Sequence, residues 1–153
     1  MSSMTQQLLE SAIDHVSGPG HMYTRLNDLT GKEVGRIGED IAADYLGSLG
    51  YRILDRNWNC RYGELDIVAL SPPFHSKQFI VVAEVKTRRT DICGSPLEAV
   101  TDRKLAHLRR AAFLWLDAHP HFPHHPMRID VIGISLHEDE HGYAPIISHV
   151  KEV

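Results

Sequence analysis

The sequence lacks the features that would place the protein in an oxidising compartment or a membrane. Its two cysteines, Cys60 and Cys93, are isolated, so they form neither a metal-binding spacing nor a disulfide framework. No apolar run is long enough to cross a bilayer, and no basic segment followed by an apolar core opens the chain. We therefore expect a cytoplasmic protein with no secretory signal and no membrane partner.

Several catalytic signatures are also missing. The chain contains no Gly-x-Gly-x-x-Gly, no phosphate loop ending in Gly-Lys-Ser/Thr and no Gly-x-Ser-x-Gly, which leaves nucleotide-dependent and serine-hydrolase chemistry without support. What the chain does have is the composition of an ordinary globular protein, with 42% hydrophobic and 24% charged residues. Its length of 153 residues suits one compact domain with its own core.

The formal net charge of −4 argues against nucleic-acid binding until its distribution is considered. The net negative charge lies near the two ends, −2 in residues 1–30 and −3 in residues 137–153, whereas residues 86–110 contain seven basic and three acidic residues. A basic stretch of this kind is typical of a surface that faces phosphates, although a solvated helix face has the same composition. Both interpretations remain open from composition alone.

Hydrophobic periodicity predicts one mixed α/β domain. Thr30 and Glu33 match a capping box, and apolar residues then recur at helical spacing until Gly50. Three strands, a second helix and two more strands follow, which predicts a mixed sheet flanked by helices. We expect residues 1–29 to be a flexible N-terminal appendage and residues 30–153 to be the single domain. The expected elements after the first helix are the strands 51–58, 63–70 and 78–87, the helix 101–118, and the strands 127–136 and 144–150.

Charged residues interrupt two strands that otherwise look buried. In "FIVVAEVKTRR", Glu84 and Lys86 lie on the same face because side chains two apart in a strand point the same way. In "GELDIVAL", Asp66 has apolar neighbours on both sides and shares a face with Glu64. If the two strands pair, Asp66 can lie opposite Glu84 and Lys86, and two converging carboxylates would repel each other.

A hard divalent cation would relieve that repulsion, because Mg²⁺ binds carboxylate oxygens, water and phosphate. The Glu-x-Lys tripeptide alone is a weak signal, and for the tripeptide alone a partly exposed ion pair at a strand end is the favoured interpretation. Glu39 adds a third acid, since it lies at the edge of the apolar stripe of the first helix and faces the sheet. A flanking surface glutamate is the alternative for Glu39.

Five segments together resemble the YraN-like family of small bacterial proteins. They are "GRIGEDIAADYLGSLGYRILDRNW", "RYGELDIVAL", "VVAEVKTRR", "GSPLEAVTDRKLAHLRRAAFLWL" and "RIDVIGI", and they cover about residues 30–136. The resemblance implies a restriction-endonuclease-like fold with an αβββαβ core. It also implies an Asp…Glu-x-Lys site similar to that of archaeal Holliday-junction resolvases.

The function implied by this resemblance is metal-dependent hydrolysis of phosphodiester bonds in DNA, with branched or damaged DNA as candidate substrates and Mg²⁺ or Mn²⁺ as cofactor. It implies a homodimer as well, because similar resolvases act as two-fold dimers. The expected catalytic residues are Glu39, Asp66, Glu84 and Lys86; the expected metal ligands are Asp66, Glu84 and the Val85 carbonyl; and the residues expected to hold flanking phosphates are Arg88, Arg89, Arg103 and Lys104.

Alternatives remain open at this stage. The rival function is a nucleic-acid-binding or accessory protein that keeps a nuclease fold without cutting. The histidine-rich segment 119–125 is interrupted by prolines and lacks a metal-ligand spacing, so we interpret it as a loop. Trp58 and Tyr62 could stack on an unpaired base, but capping the core is the favoured interpretation. Asp130 lies in another apolar strand, where Arg128 or a helix residue could pair with it.

Overall fold

The computed structural model describes residues 25–89, 96–139 and 142–153. Most of the expected N-terminal appendage, residues 1–24, lies outside the described residues, but Leu26 and Leu29 are buried in the core. Two short 3-10 helices, Leu26–Asp28 and Pro96–Ala99, accompany the main elements. The main elements in chain order are α1 (Gly31–Ser48), β1 (Arg52–Cys60), β2 (Gly63–Leu70), β3 (Ile80–Arg88), α2 (Asp102–Ala118), β4 (Met127–Asp139) and β5 (Gly142–Val150).

The five strands form one mixed sheet in the order β1-β2-β3-β4-β5. β1, β2 and β3 are an antiparallel meander, β3 and β4 are parallel, and β5 returns antiparallel to β4. The parallel pair is joined through α2, as a crossover connection requires. The predicted α/β fold is therefore confirmed, including its αβββαβ succession.

The ends of α1 follow from local sequence. The Thr30 hydroxyl accepts a hydrogen bond from the Glu33 amide at 3.2 Å, and the Glu33 carboxylate accepts one from the Thr30 amide at 2.7 Å. This is the predicted capping box, which satisfies two backbone donors at the start of the helix. Gly50 then adopts φ +88°, the left-handed conformation that favours glycine after a helix.

The two helices cover opposite faces of the sheet. α1 packs on a cluster that includes Ile67 and Ala83, whereas α2 packs on a cluster that includes Val68 and Val82. Alternate residues of β3, and of β2 from Ile67 onward, thus enter opposite layers, which explains why β3 reads as a continuous apolar run. Within the described residues, neither helix combines the length and the apolar character needed to cross a membrane.

The sheet divides along its middle. β3 pairs with β4 over its whole length, from Ile80 to Arg88. β3 pairs with β2 only over its first four residues, and the last pair is Ala83 with Ile67. Glu84 is therefore the first residue of β3 beyond the β2 ladder, and the gap between the two strands opens beside it.

Gly38 allows α1 to approach this gap. A Cβ atom at Gly38 would lie 1.7 Å from Thr87 Oγ1 and 2.7 Å from Thr87 Cβ, so the helix and β3 touch directly. The sequence contains a second glycine one turn earlier, Gly35, where a Cβ would meet nothing within 4 Å. The close packing of Gly38 on Thr87 fixes the position of α1 on the sheet, and with it the position of Glu39, the next residue.

The buried Asp130 carboxylate contacts three groups of the fold. Its carboxylate accepts hydrogen bonds from Arg128 Nε at 2.8 Å and from the Glu152 amide at 3.1 Å, and it lies 2.7 Å from His149 Nε2. His149 Nδ1 lies 3.2 Å from the Tyr45 hydroxyl of α1. Asp130 thus joins the Arg128 of its own strand to β5 and α1, and its pKa is lowered by hydrogen bonds from His149 and Arg128 despite its burial.

The other aromatic and histidine candidates also serve packing. Trp58 and Tyr62 are partly buried against the cluster beneath α2. Residues 119–126 form a loop, as predicted, and His119 stacks on Trp115 with ring centroids 4.2 Å apart. His119 Nδ1 lies 2.7 Å from the Trp115 carbonyl oxygen, which places this nitrogen in the C-terminal turn of α2.

Replacing Gly38 by alanine should destabilise the protein, because the new methyl group would overlap Thr87 and force α1 away from β3. We expect a loss of about 1–3 kcal/mol in the free energy of unfolding, measured by urea denaturation. Gly35→Ala is the matched control, since it adds a methyl group to the same helix in open space and should stabilise by about 0.5–1 kcal/mol. Equal effects of the two substitutions would contradict the close contact.

Candidate metal centre at the split between β2 and β3

Asp66 occupies the gap where β2 leaves β3. Its Oδ2 accepts a hydrogen bond from the Val85 amide at 2.8 Å, just beyond the last ladder pair. Continuing the ladder register would bring Leu65 to Val85, so the Asp66 side chain replaces the bond that a backbone carbonyl would otherwise make. No described residue hydrogen-bonds Asp66 Oδ1, which leaves that oxygen available to a ligand.

Two further acids converge on Asp66. One carboxylate oxygen each from Glu39, Glu64 and Asp66 lies within 4.8 Å of the other two. Glu39 comes from α1 on one face of the sheet, and Glu64 precedes Asp66 by two residues on β2. Three oxygens this close suit one hard cation, because Mg²⁺ and Mn²⁺ prefer carboxylate and water ligands.

Asn57 holds two of these acids in place. With its amide nitrogen facing the carboxylates, it donates to Glu64 Oε1 at 2.7 Å and to Glu39 Oε2 at 2.9 Å. Asn57 has φ 51°, a left-handed conformation that asparagine tolerates better than most residues. It lies in β1 between the residues paired with Ile67 and Leu65, which places it across from Asp66.

Glu84 approaches from the α2 face and is almost fully buried, with 3% of its surface exposed. Its Oε1 lies 3.3 Å from the ammonium of Lys86 and 3.4 Å from that of Lys104 on α2. Its Oε2 is buried without a hydrogen-bond partner among the described residues. A buried carboxylate oxygen without a partner is costly, and a cation is one group that would satisfy it.

The electrostatics of the gap disfavour ionised Asp66 when no cation is present. Burial is the largest cause, the Glu84 charge is the next, and together they raise the pKa of Asp66 to about 7 despite the Val85 amide. Burial and the Glu64 charge likewise raise the pKa of Glu39. Carboxyl groups that hold protons near neutral pH are typical of catalytic and metal-binding sites.

The Val85 carbonyl is oriented toward the same gap. In an extended strand, the N–H and C=O of one residue point to the same side. Since the Val85 N–H points to Asp66, its carbonyl also points toward the space that β2 has left. The predicted ligand set of Asp66, Glu84 and the Val85 carbonyl therefore surrounds the gap, although Glu84 is not one of the three acids that lie within 4.8 Å of one another.

The residues predicted to hold flanking phosphates have different surroundings. Arg103 is exposed on α2, and Arg88 is exposed at the end of β3. The Arg89 guanidinium donates a hydrogen bond to the Leu29 carbonyl and so ties β3 to the start of the domain. Lys104 lies beside Glu84, which makes it a residue of the site itself.

Sequence reasoning missed three participants. Glu64 was visible as the residue two before Asp66, but nothing in the sequence joined it to Glu39. Asn57 carried one signal, because asparagine is uncommon within strands. Lys104 was expected to face phosphate, and only the packing of α2 brings its ammonium to Glu84.

The acidic residues of the gap could together hold a metal ion. The hard oxygen donors around the gap are Asp66 Oδ1, Glu39, Glu64, Glu84 Oε2 and the Val85 carbonyl. Two ammonium groups, those of Lys86 and Lys104, lie beside Glu84. Oxygen donors without histidine or cysteine favour Mg²⁺ or Mn²⁺ over zinc. The three clustered acids can therefore hold a cation.

Removal of the Asp66 charge should stabilise the metal-free protein at high pH. The unfolded carboxyl loses its proton near pH 4 and the folded one near 7, so the stability of the wild type falls as pH rises through this window. Asp66→Asn keeps an acceptor for the Val85 amide and removes the charge. We expect it to be more stable than wild type by about 1–4 kcal/mol at pH 8 in EDTA, and nearly equal at pH 4.

Urea unfolding at several pH values measures this difference. Asp117→Asn is the matched control, because Asp117 is an exposed carboxylate on α2 and its removal should change stability by less than about 0.5 kcal/mol. A pH-independent difference between wild type and Asp66→Asn would show that Asp66 is not protonated near neutrality in the fold.

Comparison with known proteins identifies the family. Residues 38–134 match the model of the uncharacterised protein family UPF0102, which confirms the resemblance to the YraN-like family. A UPF0102 protein of Mycobacterium bovis (strain BCG / Pasteur 1173P2) is 43% identical over 131 residues, covering 85% of this chain and 98% of the relative. A UPF0102 protein of Renibacterium salmoninarum is 42% identical over 119 residues, covering 78% and 93%. The chain therefore belongs to the UPF0102 family.

Proposed function

We propose that the protein is a Mg²⁺- or Mn²⁺-dependent nuclease that hydrolyses phosphodiester bonds in DNA. The observation that carries the proposal is the placement of Asp66 in the gap between β2 and β3, with its pKa raised to about 7 by burial and by Glu84. A carboxyl group in this position costs stability and makes one backbone hydrogen bond. Metal binding is the function that would compensate for that cost.

The donor set divides between the two faces of the gap. Asp66 is common to both, with Glu39 and Glu64 on the α1 side and with Glu84 and the Val85 carbonyl on the other. These residues are the proposed ligands. When bound, the cation supplies a Lewis acid that stabilises charge on the phosphate and lowers the pKa of a bound water.

The two lysines have a separate role on the α2 face. Each ammonium has three donors and uses one toward Glu84 Oε1, so donors remain for a phosphate oxygen or a water. Lys86 belongs to the strand that carries Glu84, and we assign it the orientation of the attacking water. Lys104 is assigned to a non-bridging phosphate oxygen, where positive charge favours the transition state.

DNA as substrate, like the two-fold homodimer expected for branched substrates, is part of the proposal and rests on the family resemblance. The acidic cluster and the adjacent ammonium groups fit any phosphodiester. Hydrolysis of DNA is therefore tested on linear, nicked and branched forms side by side, with single-stranded RNA as a further arm.

Substitution at the gap should abolish cleavage without unfolding the protein. We expect Asp66→Asn, Glu84→Gln and Lys86→Met each to lower the rate of Mg²⁺-dependent cleavage by about 100-fold or more, because each removes a charge at the reacting phosphate. The measurement is gel electrophoresis of labelled linear, nicked and four-way branched DNA with Mg²⁺ or Mn²⁺.

Asp117→Asn again serves as the control, since it removes a carboxylate from α2 outside the gap and should cleave like the wild type. Urea unfolding establishes that all four variants are folded. If the wild type and the three site variants leave every substrate intact to the same extent, the nuclease assignment is wrong. DNA binding without metal uptake would then favour the accessory-protein alternative.

Metal affinity should depend on pH, because a proton on Asp66 competes with the cation. With the Asp66 pKa at about 7, we expect Mn²⁺ to bind about tenfold more weakly at pH 6 than at pH 8, with the change levelling off above pH 8. Calorimetric titration at both pH values gives the affinity and the number of protons released. Asp66→Asn should bind weakly at both, and an affinity equal to wild type in that variant would exclude Asp66 as a ligand.

A further inference from the structure

Tyr62, in the turn between β1 and β2, positions two arginines from different elements. The Arg61 guanidinium carbon lies 5.0 Å from the centre of the Tyr62 ring, and that of Arg110 on α2 lies 5.7 Å from it. Both distances are typical of cation–π contacts, which hold a guanidinium against an aromatic ring. Tyr62 is itself fixed, because it packs against the core cluster beneath α2.

These two arginines keep their full charge. No described carboxylate lies within 4.0 Å of the Arg61 or Arg110 guanidinium, and both residues are exposed. An ion pair would position an arginine but also neutralise it, whereas a neutral ring positions it and leaves its charge and its N–H donors available. Held in this way, a guanidinium loses less side-chain entropy when it binds a phosphate.

Further basic residues lie on the same flank of α2 as Arg110. At about 100° per residue, Arg103, His107 and Arg110 fall within about 60° of one another around the helix. The His107 ring lies 6.5 Å from the Tyr62 ring, so this flank faces the β1–β2 turn. Arg109 lies on the opposite flank of the buried stripe of α2, although it is next to Arg110 in sequence.

The surface adjoins the candidate metal centre from both elements. On α2, Lys104 follows Arg103 and reaches Glu84. At the β1–β2 turn, Tyr62 precedes Gly63 and then Glu64, one of the three clustered acids. Cations on both elements therefore lead toward the site where a phosphodiester would be cut.

We propose that Arg61, Arg103 and Arg110, with Tyr62 as the support of two of them, bind the phosphate backbone of duplex DNA beside the metal centre. This inference rests on the proposed function for its choice of DNA. Two guanidiniums held on one ring without a described carboxylate partner, with Arg103 on the same flank of α2, match a regular array of phosphates better than the irregular charges of an acidic protein surface. His107, whose ring lies 6.5 Å from the Tyr62 ring, would add a further hydrogen-bond donor for a phosphate.

Fluorescence anisotropy with a labelled DNA duplex tests the surface in EDTA, where the metal centre cannot contribute. We expect Arg61→Gln and Arg110→Gln each to weaken binding by about fivefold or more at low salt and to reduce the slope of log affinity against log salt by about one. Arg109→Gln is the matched control, because it removes the same charge from the opposite flank of the same helix.

Variants of Tyr62 test whether the aromatic ring matters for DNA binding apart from the charges of the two arginines. Tyr62→Phe keeps the ring, and no described residue hydrogen-bonds the hydroxyl it removes, so binding should equal wild type. Tyr62→Leu removes the ring and should weaken binding about twofold to fivefold while leaving the salt slope unchanged, since the number of charges is the same. Urea unfolding of both variants establishes that they are folded.

The outcomes distinguish this inference from the nuclease proposal. Weaker binding in the Arg61 and Arg110 variants, in a protein that cleaves nothing, supports the surface and rejects the nuclease. Cleavage by the wild type together with wild-type binding in both arginine variants overturns the surface alone. The proposed DNA-binding surface is also overturned if Arg109→Gln weakens binding as much as Arg110→Gln does, or if the wild type does not bind the duplex.

Discussion

The hydrogen bond from the Val85 amide to Asp66 is the interaction on which the candidate site depends. It satisfies a backbone donor that the β2 ladder no longer reaches, and so it allows β2 and β3 to separate after Ile67 and Ala83. The separation opens a gap in the middle of the sheet rather than at its edge. Because β3 keeps its full pairing with β4, the far side of the gap stays rigid.

This gap explains how acids from opposite layers can act together. α1 brings Glu39 to one face, held close by the contact of Gly38 with Thr87. Glu84 points to the other face, where α2 supplies Lys104. Asp66 lies between them, and the pKa of its carboxyl group is raised first by burial and then by the charges of Glu84 and Glu39 on the two sides. A continuous sheet would have separated the two groups by a layer of backbone.

Much of the molecule could be predicted from sequence, because the signals are local. The capping box at Thr30, the exact bounds of β2 and the order of helices and strands followed from residues close together in the chain. Asp66 and Glu84 stood out because each interrupts an apolar strand. By contrast, the partnership of Glu64 with Glu39, the bridge made by Asn57 and the pairing of Lys104 with Glu84 join residues from different elements. No periodicity within one element could reveal them.

The sequence by itself determined which segments are helix or strand, which faces are apolar and which acids lie where no charge is expected, since capping and hydrophobic alternation are written in consecutive residues. Only the tertiary structure decided where β2 leaves β3, which acids converge there and which cations contact Glu84 or the Tyr62 ring. Those features depend on the packing of two helices on opposite faces of one sheet. That packing sets the distance between side chains that are far apart in the chain.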